Sequence, residues 1–255
     1  MMVSPTTIPT SLKKKKASNS MNYVEPIPNN LRFSVSQLER YHWWKMTGGL
    51  EPESRLLEDL TIRRSSPHMT RGIRVHKWLE TNGREGGPVF VDKHLDIKLM
   101  NPHKREQFCR KTWNRIYTDM SEYSVMLVGR VDGIWHKKLI EYKTTAQITQ
   151  ERRIEGHKMG NPYLDSAQWR LYLDMVGSDV ADSVVYEIFQ VKEQKDFSIR
   201  IRDHIRLEAT RYPELEEENT NLIREFVQWL EVKNLTHPGL IHPQTGRIVV
   251  RKEAE

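Results

Sequence analysis

Cysteine is almost missing from this chain, and long apolar runs are missing altogether. Cys109 is the single cysteine among 255 residues, which excludes an internal disulfide framework and any zinc or iron–sulfur site built on four cysteines. No apolar stretch approaches the roughly 18 residues that a membrane-spanning helix needs. The expected location is therefore intracellular and cytoplasmic, without a membrane partner, and a nuclear or organellar location stays open.

Acidic residues are absent from the first part of the chain, where none precedes Glu25. A run of four lysines at positions 13–16 lies there among Pro, Ser and Thr, and no apolar segment follows it, so the segment is not typical of a secretory signal. We predict a disordered basic tail over residues 1–28 and a single domain over residues 29–255. Whether the lysines are a nuclear address, a phosphate-binding arm or a solvated tail stays open. The net charge of +6 favours an anionic partner such as nucleic acid.

Hydrophobic periodicity and capping residues predict an α/β fold with a central mixed β-sheet flanked by helices. The predicted helices are Ser34–Met46 with a cap at Ser34, a segment within Glu53–Arg63, one from Thr70 to just before Asn82, a basic helix Asn101–Thr118, Tyr163–Val176, and Leu207–Val232 with an interruption at Pro213. The predicted strands are His94–Leu99, Tyr123–Trp135, Lys138–Thr144, Ser183–Lys192 and Asp196–His204.

The hairpin around His136 and Lys137 carries the chemistry. A turn at these two residues places Asp132 directly opposite Glu141, and Lys143 follows two residues later on the same face. Facing carboxylates repel each other unless a divalent cation lies between them, and Mg²⁺ prefers one or two carboxylates completed by water and phosphate oxygens. An ammonium beside a metal-bound water can orient it for attack on a phosphodiester.

The spacing by itself leaves a second interpretation open. Asp132-Gly133 is also a turn signal, and charged residues alternate on many exposed hairpins. In that case Asp132 would be a turn residue and no metal site would form. The apolar residues Val131, Ile134, Leu139 and Ile140 favour continuous strands on both sides of His136.

The segments Gly129–Gly133 and Glu141–Lys143 together resemble the PD-(D/E)XK nuclease superfamily, specifically its RecB-like exonuclease branch. Three further segments resemble motifs of that branch in the same order: Ser34–Tyr41, Arg71–His76 and Gln168–Tyr172. The resemblance therefore spans residues 34–172. It implies a restriction-endonuclease-like core and a Mg²⁺- or Mn²⁺-dependent DNA exonuclease.

The resemblance also implies roles for individual residues. The implied metal ligands are His76, Asp132, Glu141 and the backbone carbonyl of Tyr142, and the implied catalytic residues are Asp132, Glu141 and Lys143. Gln168 and Tyr172 would contact DNA or brace the site. Apart from the resemblance, Arg130 and Arg170 are further candidates for contacts with phosphates. Some relatives hold an iron–sulfur cluster on four cysteines, and here the first of those regions is His42–Trp44. We therefore expect no cluster.

Each of these residues also has a simpler interpretation. His76 would be a packed core histidine, and Gln168 with Tyr172 a polar helix surface. The pair Trp43 and Trp44 would be core rather than a stacking platform for single strands. The basic residues that would accompany such a platform, or be merely solvated, are Lys104, Arg105, Arg110, Lys111 and Arg115.

The expected partner is DNA with a free end or a single-stranded portion, in recombination, repair or genome processing of a phage-like kind, with a replication or recombination protein as a further partner. A structure-specific DNA endonuclease with the same residues is the alternative enzyme. A nucleic-acid-binding module that does not cut is the alternative of a different class.

Overall fold

The computed structural model describes residues 29–61, 66–149, 151–154 and 157–236. The predicted tail over residues 1–28 and the last part of the predicted domain lie outside the described residues. The strands are β1 (Asn29–Ser34), β2 (Val89–Val91), β3 (Lys104–Tyr117), β4 (Glu122–Trp135), β5 (Lys138–Thr145), β6 (Arg152–Ile154), β7 (His157–Gly160), β8 (Ser183–Glu193) and β9 (Ile199–Thr210). The helices are α1 (Val35–Met46), α2 (Glu53–Thr61), α3 (Pro67–Glu80), α4 (Ala167–Val176) and α5 (Leu215–Val232).

Seven of the strands form one mixed sheet, in the order β1-β4-β5-β8-β9-β2, with β3 along the other side of β4. The pairs β1–β4, β5–β8 and β2–β9 are parallel, and β3–β4, β4–β5 and β8–β9 are antiparallel. Strands β6 and β7 form a separate two-stranded sheet. The predicted fold class, a central mixed sheet flanked by helices, is confirmed.

Strand β4 is long enough to have two partners in succession along one edge. β1 pairs with its residues 123–128, and β5 pairs with its residues 133–135. β3 occupies the other edge, and on the side of β1 and β5 residues 129–132 of β4 have no ladder partner in the described part of the chain. The sheet therefore opens at the segment that carries Asp132.

Two apolar clusters pack on opposite sides of the sheet. One lies beneath α1, α4 and α5 and includes Phe33, Leu127 and Phe226, all fully buried. The other lies beneath α3, where Val75 and Leu79 cover Ile140, Tyr142 and Phe189. At roughly 25 cal/mol per Å² of apolar surface removed from water, these clusters supply the main favourable term in folding. No helix in the described part of the chain is long and apolar enough to cross a membrane.

The predicted basic helix over residues 101–118 is wrong, because this segment forms β3. Cys109 and Trp113 are buried four residues apart, which imitates the period of a helix. In the strand, the residue between them, Lys111, points to the same side and pairs with Asp174 of α4. A charged residue on the inward face concealed the alternation with period two.

Other element boundaries also differ from the predictions. Residues 207–210 continue β9, and Pro213 precedes α5 rather than interrupting it. No strand forms at residues 94–99, and the short strand at 89–91 was not predicted. Strand β1 was missed because its six residues run directly into the cap at Ser34. Ser34 begins α1 as predicted, and the backbone N–H of Ser34 donates to Gln37 Oε1 at 2.9 Å.

Candidate functional site

The hairpin of β4 and β5 has the predicted register. Gly133 pairs with Ile140 and Trp135 with Lys138, so the chain turns at His136 and Lys137. The ladder ends at the Gly133 pair, where a Cβ on Gly133 would lie 2.6 Å from the Pro102 ring. The alternative turn at residues 132–133 is therefore wrong.

Asp132 lies just beyond the last ladder pair, in the opening of the sheet. The register alone predicted a ladder pair between Asp132 and Glu141, and this pair does not form. Instead Asp132 Oδ2 accepts the backbone N–H of Tyr142 at 2.7 Å. This bond holds the carboxylate at the gap between β1 and β5, with Oδ1 left to face α3. The position corrects the prediction of two carboxylates facing each other across a ladder.

Glu141 and Lys143 share one face of β5, and α4 covers them. Lys143 Nζ donates to Glu141 Oε2 at 2.9 Å and to Gln168 Oε1 at 3.0 Å. Gln168 Nε2 also donates to Glu141 Oε2, at 3.2 Å. The predicted residues Glu141, Lys143 and Gln168 thus form one hydrogen-bonded group, which fixes the lysine's position between two acceptors.

Glu141 is the most constrained residue of this group. Its side chain is 3% exposed, and its Oε1 has no hydrogen-bond partner among the described residues. Burial raises the pKa of Glu141 to about 7 from an ordinary value of 4.5, although Lys143 acts in the opposite direction. A buried carboxylate oxygen without a partner is costly, and such a group is commonly found where a ligand or ion completes the site.

Lys143 keeps its charge in this environment. Burial lowers the pKa of its ammonium, but the carboxylates of Glu141 and Asp132 more than compensate and raise it above the ordinary value. The ammonium also lies 5.7 Å from the centre of the Tyr186 ring. The neighbouring carboxylates therefore favour the charged form of the Lys143 side chain.

Tyr172 braces the backbone beside Asp132. Its hydroxyl donates to the carbonyl of Arg130 at 3.0 Å, and its ring is buried. Gly129 makes room for that ring, because a Cβ there would lie 2.6 Å from Tyr172 Cε1. The pair predicted on α4 therefore faces the site: Gln168 contacts the catalytic candidates, and Tyr172 supports the strand that carries one of them.

His76 reaches the opening of the sheet from α3. Its Nδ1 lies 3.7 Å from Asp132 Oδ1, and its ring meets that of Tyr142 edge to face. Gly72 lets α3 come this close, since a Cβ there would lie 3.0 Å from Thr144 Oγ1 on β5. The structure thus brings together His76 and Asp132, two of the residues that the resemblance implies as metal ligands.

A cleft of about 830 Å³ opens on the side of α3, and of the site residues described above it is lined by His76, Tyr142 and Lys143 but not by Asp132 or Glu141. Its walls are His68, Met69, Gly72, Ile73, His76, Lys77, Glu80, Glu106, Arg130, Tyr142, Lys143 and Thr144. Arg130 is two-thirds exposed and pairs with Glu106 at 2.6 Å, so it stands at the mouth of the cleft. Its predicted place near phosphates remains open to test.

Two acidic residues in the cleft were missed by the sequence analysis. Glu80 lies one turn after His76 on α3. Its pKa is raised mainly by burial and, to a smaller extent, by a hydrogen bond with Glu106. The spacing of His76 and Glu80 on one helical face was a signal in the sequence. Glu106 carried none, because its segment was assigned to a helix.

Arg170 does not join the site. It is two residues from both Gln168 and Tyr172 on α4 and therefore points away from them. Its guanidinium pairs with Glu218 of α5 at 2.7 Å. Trp43 and Trp44 are not a stacking platform either: Trp43 is 3% exposed, and Trp44 packs against the core.

Glu39 on α1 is a further residue that the sequence analysis missed. Its Oε2 accepts the backbone N–H of Gln168 at 2.9 Å, and its Oε1 accepts the Ser166 hydroxyl at 2.8 Å. Glu39 therefore fixes the first turn of α4, on which Gln168 depends. A contact across more than 120 residues leaves no local pattern in a single sequence.

The donor set suits a hydrated cation better than a closed metal cage. Among the described residues, no three His, Cys, Asp or Glu side chains already stand in a group that could hold a metal ion. The 3.7 Å between His76 Nδ1 and Asp132 Oδ1 exceeds the roughly 3 Å between adjacent ligands of an octahedral ion with bonds of about 2.1 Å, so the two side chains would have to approach each other to share one ion. Mg²⁺ keeps several waters, so it does not require three protein side chains.

Two solved structures are similar to this chain. The crystal structure of SSO0001 gives a TM-score of 0.43 at 14% identity, over 80% of this chain and 79% of that one. A protein from Eubacterium rectale named "Putative exonuclease" gives 0.46 at 13% identity, over 87% and 88%. No family model and no curated protein matches the chain. Likeness of this extent carries no weight for function, which depends here on the residues themselves.

Proposed function

We propose that this chain is a divalent-metal-dependent nuclease that hydrolyses DNA phosphodiester bonds from an end. The observation that supports it most is Glu141 Oε1, which is buried near the ammonium of Lys143 and has no hydrogen-bond partner among the described residues. The proposal includes the resemblance to the RecB-like branch of the PD-(D/E)XK nucleases and to their restriction-endonuclease-like core.

Mg²⁺ or Mn²⁺ would be held by His76, Asp132 and Glu141 with the backbone carbonyl of Tyr142. Once bound, the ion would polarise the scissile phosphate and lower the pKa of a water. The chain's own groups do the rest. Glu141 and Gln168 hold Lys143 in one rotamer, so its ammonium meets the negative charge that develops on the phosphate without reorganisation.

The hydrogen bonds around Asp132 fix the position of its carboxylate. The N–H of Tyr142 orients the carboxylate, and Tyr172 anchors the strand two residues before it. A shift of an ångström in such groups reduces rates severely, so positioning of this kind is expected in a site that performs chemistry. The exposed arginine at the cleft mouth, Arg130, is suited to a backbone phosphate.

The test is cleavage of labelled linear DNA, single- and double-stranded, with Mg²⁺, with Mn²⁺ and with EDTA. Asp132→Ala and Lys143→Ala are expected to lose at least about a hundredfold in rate. A matched control is present in the chain, since Asp96 and Lys98 form an exposed pair with a spacing of two residues, at 3.3 Å. Asp96→Ala and Lys98→Ala should cut as the unmodified chain does.

The outcomes separate the alternatives. Cleavage that survives EDTA, or that Lys143→Ala leaves unchanged, contradicts the metal-dependent site. Cleavage of circular single strands assigns an endonuclease. Binding without cleavage under every metal condition assigns the non-catalytic module.

A further inference from the structure

The helices α1, α4 and α5 pack against one face of the sheet at β1, β4 and β3, and they do not cover its opposite face. Residues directly opposite in a ladder share a face, so Phe108 stands beside Arg130, and Arg110 beside Val128. In the parallel pair β1–β4, Arg32 stands opposite Met126 on that same face. We call this surface the open face: its exposed side chains are Phe108, Arg110, Thr112, Asn114 and Arg130, while Arg32 and Met126 are half-buried and Val128 is buried.

The alternate residues of β3 show which way the open face points. Cys109 and Trp113 are buried, and Lys111 reaches Asp174 on α4. Phe108 and Arg110 therefore point away from α4 and α5. Consistent with this, Phe108 is 62% exposed, and the Arg130 side chain is 68% exposed.

The open face carries three arginines, and of its apolar side chains Phe108 is exposed, Met126 half-buried and Val128 buried. At positions 30–34 of β1, 108–114 of β3 and 124–130 of β4, every titratable side chain on this face is an arginine, and Arg130 is paired with Glu106 at the end of the face. Arg32 Nε is buried and has no hydrogen-bond partner among the described residues. One exposed aromatic ring among arginines is the composition that holds unpaired nucleic acid, since bases stack on the ring and phosphates meet the cations.

The open face also leads into the cleft. Arg130 lines the cleft mouth, and Phe108 is its cross-strand neighbour. From position 108 to position 114, β3 extends for about 20 Å at roughly 3.4 Å per residue. A strand that ran along β3 would therefore arrive at the wall of the cleft that Arg130 and Glu106 form.

We propose that the open face binds the single-stranded portion of a DNA substrate and guides it into the cleft, with Phe108 stacked on a base and Arg110 and Arg32 on phosphates. This inference rests on the proposed nuclease function and names its substrate class. A duplex is disfavoured because its bases are already stacked on one another. A second copy of the chain is disfavoured because two such faces repel each other.

The test is binding of fluorescent dT20 and of a blunt 20-base-pair duplex, by anisotropy in EDTA, so that no cleavage occurs. Phe108→Ala is expected to weaken dT20 binding about fivefold or more and to change duplex binding little. The matched control is Phe197→Ala, at a residue 74% exposed in the β8–β9 turn. Thermal unfolding of each variant checks its fold.

A second pair of variants tests the phosphate contacts. Arg110→Glu should weaken dT20 binding more than Arg224→Glu, which makes the same charge change on the exposed side of α5, and should reduce the salt slope by about one. Three results overturn the inference: Phe108→Ala equals Phe197→Ala, Phe108→Ala weakens the duplex equally, or polyglutamate binds as tightly as dT20.

Failure of the proposed function gives a different result. If the unmodified chain binds dT20 through Phe108 but cuts no DNA with Mg²⁺ or Mn²⁺, the proposed role of the open face is supported and the proposed nuclease function is contradicted. If the unmodified chain cuts DNA while Phe108→Ala binds dT20 normally, the nuclease function is supported and the role of the open face is contradicted.

Discussion

The burial of Glu141 predicts that this residue destabilises the metal-free protein. Its pKa rises from 4.5 to about 7, chiefly because burial disfavours the charged form. The folded state therefore holds the proton more tightly than the unfolded state, and stability falls as pH rises from 4.5 through 7. At about 1.36 kcal/mol per pKa unit the loss is roughly 3 kcal/mol, and this value already includes the attraction of Lys143.

Glu141→Gln removes that titration while keeping the shape of the side chain. In EDTA at pH 8.5 the variant is expected to be more stable than the unmodified chain by about 2–3 kcal/mol, and at pH 4.5 the two should nearly coincide. Urea unfolding followed by tryptophan fluorescence at both pH values measures the difference. Mg²⁺ should narrow the gap at pH 8.5, because an ion that binds only the folded state stabilises it.

The control is Glu85→Gln, which makes the same change at an exposed glutamate in the turn after α3. It should shift stability little at either pH. If Glu141→Gln is less stable than the unmodified chain at pH 8.5, or if the gap does not depend on pH, the burial of the charged carboxylate is not the dominant effect and the reasoning fails.

Two further predictions concern the framework of the site. Glu187, fully buried, accepts hydrogen bonds from His204 and Arg206, which lower its pKa although burial raises it, so Glu187→Gln should cost about 3–5 kcal/mol at pH 7. The part of that stabilisation that comes from the lowered pKa is present above pH 4.5 and is lost as pH falls through the folded pKa. Urea unfolding in which the difference between the two chains stays constant down to pH 3 would contradict it. Gly129→Ala should push the Tyr172 ring away, with a loss of about 1–3 kcal/mol and reduced cleavage, and a variant with unchanged melting temperature and rate would show that the ring moves freely.

Some residues of the site were not predicted from the sequence because their contacts join segments that lie far apart in the chain. The register of the hairpin is set by its own turn, so the position of Asp132 near Glu141 was predictable from a few adjacent residues. The contact of Glu39 with Gln168 depends on how α1 packs on α4, which no local period encodes. The inward Lys111 misled the assignment of β3, because only its partner on α4 makes a charge acceptable there.

By itself the sequence determined the α/β class and the hairpin turn at His136, and it predicted which residues would meet at one site. It did so because strand alternation, turns and motif spacing are local properties that survive in the linear chain. Only the tertiary structure decided that the Asp132 carboxylate turns to the N–H of Tyr142 and towards His76, that Glu141 is left with a buried, unpartnered oxygen, and that Arg170 faces α5. These outcomes follow from where β1 ends and β5 begins along β4, a property of the assembled sheet that no single segment contains.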